Sequence, residues 1–143
     1  MVEESNVSFE VSGHIGLITL ERPQALNALT LSMIESCAQK LKVWATDPAI
    51  KAVVTRGAGA RAFCAGGDVR AAYNAGMAAK AGSGDGSFTR IFFHAEYSLV
   101  RQTRVFPKPY IALLDGFTMG AGVGIGIHGS ERVNDYETGA GSI

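Results

Sequence analysis

Two short apolar segments of this chain each run directly into glycines, and that pattern restricts the possible folds more than any other feature. The first is Phe63, Cys64, Ala65, Gly66, Gly67 and Asp68. The second begins at Pro109 and Tyr110, passes Ile111, Ala112, Leu113, Leu114, Asp115 and Gly116, and continues through Met119, Gly120, Ala121, Gly122, Val123 and Gly124. Each spells a strand whose C-terminal end feeds a glycine-rich turn and then a helix. Such a turn leaves backbone N–H groups unsatisfied at a helix N-terminus, where the partial positive charge of the aligned peptides collects. Two turns of this kind facing one pocket make a pair of donors for a developing oxyanion.

Periodicity supplies the rest of the frame. Residues 7–11 alternate, and after Ser12 and Gly13 a second apolar run, 14–20, predicts a paired strand. Met33, Ile34, Cys37, Leu41 and Trp44 fall at helical spacing, with Ser32 and Glu35 as a capping box and Asp47 and Pro48 as the stop. Residues 50–55 read as a buried strand. A helix is expected from Asp68, fading into a polar, glycine-rich loop over 81–87 that is the best candidate for a mobile segment. Phe88, Phe92, Ala95 and Leu99 predict one apolar stripe on a further helix, which Pro107 and Pro109 end before a strand at 110–114. Strands and helices alternate, so the class is α/β. No sequence repeat is sharp enough to assign.

The chain has 143 residues, 47% of them apolar, which is enough for one domain with its own core. Thirteen basic and thirteen acidic side chains cancel, so no basic stripe points to nucleic acid. The apolar stretch 111–127 is broken by Asp115 and loaded with glycine, which argues for buried structure and against a membrane span. The acidic start, Met1 to Asn6, reads as neither signal nor transit peptide, and a cytoplasmic location is expected. Cys37 and Cys64 have no metal-ligand spacing and are expected to be free thiols. No metal is implied.

The opening motif Leu20, Glu21, Arg22, Pro23, Gln24, Ala25, Leu26, Asn27, Ala28 and Leu29, followed in order by the two glycine turns, resembles the crotonase (enoyl-CoA hydratase/isomerase) superfamily. Phe92, Phe93, His94, Ala95, Glu96 and Tyr97, with Thr118 to Gly124, His128 and Gly129, resemble its 3-hydroxyisobutyryl-CoA hydrolase branch. The likeness runs from about Val7 to Val133. It implies a spiral of strand-strand-helix units, here incomplete, in a single domain over residues 1–143. It also implies a thioester substrate of the acyl-CoA class, with coenzyme A part of the substrate and no separate cofactor. Assembly with further copies of the chain stays open.

Matched position by position, the resemblance makes Gly67 and Ala121 the oxyanion-hole donors, although the family usually has glycine at the second. Alanine still offers its N–H if its φ is negative. Ala65, Gly66 and Gly67 match the segment that binds the adenine end of coenzyme A. Asp68, adjoining that segment, is carried with it as a substrate-binding candidate although it has the chemistry of a helix N-cap, and Glu96 matches a substrate-contacting glutamate. His14 and His94 show no visible partner, and His128 is expected to pack against or cap the end of the glycine-rich helix. Residues 134–143 depart from the family. Glu137, with Thr138 and Gly139, echoes the catalytic glutamate, but the approach to it is shortened and the family's further aspartate has no counterpart. The alternatives are a hydratase or isomerase of the same superfamily and an inactive remnant that binds coenzyme A. A dinucleotide fingerprint at Gly124, Gly126 and Gly129 sits inside the expected helix, where close packing explains the glycines better.

Overall fold

A computed structural model of the chain describes residues 6–82, 84–127 and 131–134. Strands β1 (Val7–Ser12) and β2 (Ile15–Leu20) form the expected antiparallel pair, turning at Gly13 in the left-handed region (φ 60°). Helix α1 (Leu31–Thr46) returns the chain to strand β3 (Ala52–Gly57), which lies parallel to β2. Strand β4 (Ala62–Cys64) leads to helices α2 (Val69–Lys80) and α3 (Ser87–Arg104), and these deliver β5 (Tyr110–Leu114) parallel to β3. Strand β6 (Phe117–Thr118), helix α4 (Ala121–Ile127) and strand β7 (Glu131–Asn134) complete the described elements. The main sheet has the order β1-β2-β3-β5-β7, and β4 pairs with β6 in a small parallel sheet.

The element order makes the repeat visible. Each turn of chain lays one strand in the main sheet, a shorter extended piece beside it, and then helix. Leu29 bridges Gly67 in parallel, and Ala62 and Cys64 pair with Phe117 and Thr118, so three successive turns stack their short extended pieces. This is the spiral of strand-strand-helix units.

The core lies between the main sheet and the helices. All five apolar residues expected on α1 (Met33, Ile34, Cys37, Leu41 and Trp44) are buried. Ile18, Leu20, Phe63, Phe92 and Leu114 complete the centre of the same cluster. Trp44 packs flat against Gly16, where an added Cβ would fall 2.6 Å from the indole. The cap of α1 differs from expectation. Thr30 is the N-cap; its hydroxyl accepts the Met33 N–H at 3.2 Å, and the Met33 sulfur accepts the Thr30 N–H at 3.5 Å. Ser32 lies inside the first turn. The Leu29 bridge holds residue 29 in an extended conformation, so the helix starts immediately after Thr30 and not at Ser32.

Candidate active site

The two glycine turns meet because β4 and β6 run parallel and in contact. Phe117 N–H donates to Arg61 O at 2.9 Å and Met119 N–H to Cys64 O at 3.0 Å, locking one turn onto the other. Gly66 adopts φ 105° and Gly120 φ 56°, backbone states that favour glycine. A Cβ on Gly66 would fall 3.1 Å from Met119 O and 3.5 Å from Ala121 N, while one on Gly122 would run into the Cys64 carbonyl. The approach is therefore possible only between bare backbones.

That approach brings the Gly67 and Ala121 amides to neighbouring turns. Among the described residues, neither N–H donates to a protein acceptor. Ala121 is not among the residues of positive φ, so the alanine in place of glycine leaves its donor in ordinary helical geometry. The turn around Gly67 is held from below by the opening motif: Ala65 N–H donates to Leu26 O at 3.0 Å, Leu29 N–H to Gly66 O at 2.7 Å, and Asp68 N–H to Leu29 O at 2.7 Å. Ala65, by contrast, keeps its carbonyl free of any protein donor among the described residues.

Glu96 reaches this turn from α3. Its Oε2 would sit 2.8 Å from a Cβ on Gly67, and the Phe92 ring 3.1 Å away, so the absence of a side chain at 67 admits both. Glu96 Oε2 is buried without a hydrogen-bond partner, and burial pushes the carboxyl above its ordinary value. A buried carboxylate oxygen with no donor is costly to maintain. Asp68 has the opposite setting. Its Oδ1 accepts the Arg70 N–H at 3.1 Å and caps α2, and its Oδ2 pairs with Arg22 Nη2 at 2.7 Å. Burial alone would raise the Asp68 carboxyl, but the Arg70 N–H and the Arg22 guanidinium outweigh it and hold the group below the ordinary carboxylate range. An open cleft of about 370 Å³ runs beside Gly67, between Arg22, Leu26, Asp68 and Arg70.

Other expected groups fall into structural roles. Cys37 and Cys64 are free and buried, and burial pushes both thiols up to about 12, which removes them as nucleophiles at neutral pH. His14, which carried no visible partner in the sequence, sits 2.9 Å from Ala49 O through Nδ1. His94 is exposed on α3. Gly124 faces Val100 and Gly126 faces Leu114, each with a prospective Cβ contact below 3.0 Å at 2.7 and 2.8 Å, so these glycines serve packing as expected. Glu137 and His128 lie outside the described residues.

Sequence reasoning carried Arg22 and Asn27 only as letters of the opening motif. In the structure Asn27 is fully buried at φ 56°; its Oδ1 accepts Arg22 N–H at 2.9 Å, and its Nδ2 donates to Ala58 O at 3.0 Å and Ala62 O at 2.9 Å. A buried asparagine just before an apolar pair was the available signal, since αL tolerates asparagine and a buried amide must find several partners.

Known proteins place this arrangement in context. The 3-hydroxyisobutyryl-CoA hydrolase of Danio rerio mitochondria is 48% identical over 134 residues, covering 94% of this chain and 34% of its own length. The mitochondrial human protein of the same name is 44% identical over 127 residues, covering 89% and 31%. The chain thus spans about a third of the length of the curated relatives it matches. The crystal structure of an enoyl-CoA hydratase from Rhodobacter sphaeroides superposes with a TM-score of 0.84 at 42% identity, covering 91% of this chain and 37% of the other. A carnitinyl-CoA dehydratase from Mycobacterium thermoresistibile gives 0.84 at 44%, with the same coverage. The expectation of a cytoplasmic location is overturned, because these hydrolase relatives are mitochondrial. The enoyl-CoA hydratase/isomerase profile matches residues 15–139, and the chain belongs to that family.

Proposed function

We propose that this chain forms the oxyanion-hole part of an acyl-CoA thioester hydrolase site, with 3-hydroxyisobutyryl-CoA as its substrate. One observation carries the reading: two backbone N–H groups, at Gly67 and Ala121, lie on abutting turns with no acceptor of their own among the described residues. Attack on a thioester carbonyl turns its oxygen into an anion. Donors already fixed in place stabilise that charge without reorganising, and removing one costs about 2.7–4 kcal/mol of transition-state stabilisation. The names of the relatives at 44–48% identity support hydrolysis as the reaction. Glu96, beside Gly67 with an unpartnered oxygen, contacts the acyl part, and the free Ala65 carbonyl takes a donor from the adenine end. Glu137 is the group assigned to water activation or acyl transfer.

A second reading, hydration or isomerisation of an enoyl-CoA, is favoured by the names of the solved structures with the same fold. Two assays decide. Release of free thiol from 3-hydroxyisobutyryl-CoA supports the hydrolase, and loss of enoyl absorbance from a 2-enoyl-CoA supports the second reading. Binding of coenzyme A with neither reaction identifies a non-catalytic binding chain. Ala121→Pro removes one donor N–H; activity should fall by two orders of magnitude or more while coenzyme A affinity changes little. An equal fall in both would refute the role given to Ala121.

A further inference from the structure

The Gly67 N–H stands at the end of a continuous line of hydrogen bonds that begins on a charged side chain. Arg22 Nη1 donates to Ala28 O at 3.0 Å. Across that same peptide group, Leu29 N–H donates to Gly66 O at 2.7 Å. Across the next peptide group stands the Gly67 N–H. No peptide in the described chain is cis, so the C=O and N–H of each group point in opposite directions, and the line runs head to tail from guanidinium to Gly67.

We propose that Arg22 is a positioning residue for the oxyanion hole, orienting and polarising the Gly67 N–H through the 28–29 and 66–67 peptide groups. The inference rests on the hole described under the proposed function. A carbonyl that accepts a hydrogen bond makes the N–H of its own peptide a stronger donor, by roughly 10–30% per bond. The first donor here is cationic, and charge-assisted bonds are about twice as strong as neutral ones. The guanidinium is held at both ends. Its other nitrogen pairs with Asp68 at 2.7 Å, both side chains being only 18% exposed, and the Arg22 N–H is fixed by Asn27 Oδ1 at 2.9 Å. The Asp68 N–H, donating to Leu29 O at 2.7 Å, closes the other side of the Gly67 turn. The peptide plane that carries the Gly67 donor is therefore set from the opening motif, more than forty residues away in sequence.

The test uses isobutyryl-CoA labelled with 13C at the thioester carbonyl, whose stretching frequency falls in proportion to hydrogen bonding at its oxygen. Arg22→Gln removes the charge. Arg22→Lys keeps the charge and the Asp68 pairing, which guards against unfolding, but an ammonium lacks the fork that reaches Asp68 and Ala28 together. Wild type should lower the bound carbonyl frequency, and each variant should lose ~10–30% of that lowering with coenzyme A affinity and melting temperature little changed. A lowering identical to wild type in both variants overturns the relay. No lowering in the wild type itself overturns the hole, and the relay with it, so the two failures are told apart. A variant that loses coenzyme A affinity in step with the carbonyl signal shows Arg22 to be a scaffold only and overturns the positioning role.

Discussion

Replacing Asn27 by alanine tests how the turn under Gly67 is held. Ala62 O, fully buried, loses its Asn27 donor, and an unsatisfied buried carbonyl costs about 1–3 kcal/mol. Ala58 O and Arg22 N–H are only part-buried, so water recovers some of each bond and the loss falls to roughly 0.5–1 kcal/mol apiece. Residue 27 also sits at φ 56°, where alanine is strained by about 1–2 kcal/mol. Together these come to about 3–7 kcal/mol, a large share of the 5–15 kcal/mol typical of a domain. Urea unfolding of wild type, Asn27→Ala and Asn27→Gly measures it. Glycine restores the backbone freedom but none of the hydrogen bonds, so it should recover only the strain component, about 1–2 kcal/mol. A loss below about 1 kcal/mol for Asn27→Ala would refute the reasoning, as would glycine restoring full wild-type stability.

Burial raises the Glu96 carboxyl, so folding favours its protonated form; the stability this adds is complete below the ordinary carboxylate range and is lost as pH rises through the raised value. Glu96→Gln should therefore match wild type in acid and melt higher at neutral pH, and a variant less stable than wild type at neutral pH would overturn the unpartnered-carboxylate argument. Gly67→Ala drives a Cβ to 2.8 Å from Glu96 Oε2 and 3.1 Å from Phe92; the carboxylate can swing away, so the cost should fall at the low end of about 1–3 kcal/mol. Adding Glu96→Ala should relieve part of it, and the absence of rescue in urea unfolding would point to Phe92 as the whole obstacle. Val69, Tyr73 and Met77 form an exposed row along α2, with Tyr97, Phe117 and Met119 exposed elsewhere. The 143-residue chain alone should bind apolar dye and self-associate as concentration rises, whereas a dye-silent monomer in sedimentation would contradict this.

Much of the frame was legible because it rests on period. The helical spacing of Met33 to Trp44 reports which face meets the core, and that face is the one buried. The alternation before Ser12 marks a strand whose inward face fades along its length, from buried Val7 through half-buried Phe9 to exposed Val11. The turns were legible because the φ values at 66 and 120 favour glycine and the backbone contact at 122 leaves no room for a side chain. What escaped was set by contacts distant in sequence. The residues alone point to Ser32 with Glu35 as the cap; the Leu29 bridge to Gly67 makes Thr30 the cap instead. The spiral, expected only through the family resemblance, leaves no repeat in the residues because it lies in backbone pairing: Leu29 against Gly67, and Ala62 and Cys64 against Phe117 and Thr118, share no side-chain pattern. His14 found its acceptor in Ala49, thirty-five residues on, at a point no local pattern marks.

The division of labour in the site follows from what backbone and side chain do well. In the proposed site, main-chain donors at Gly67 and Ala121 are fixed by strand pairing and bridges that the fold needs in any case, so they would meet a developing charge without having to move. Because that device answers any thioester oxygen, it serves hydratase and hydrolase alike and leaves the choice of reaction to side chains. Glu96 is the side chain whose setting the fold alone does not justify. It is kept half-buried with an orphan oxygen, at a cost to stability, against a glycine that has to stay bare to admit it. A buried polar group left unpartnered in this way marks a candidate functional site, where a ligand can supply the missing donor. In the proposed hydrolase, the acyl part of the substrate is that ligand. The rigid amides then read the carbonyl common to the family, while Glu96 reads what distinguishes one acyl group from another.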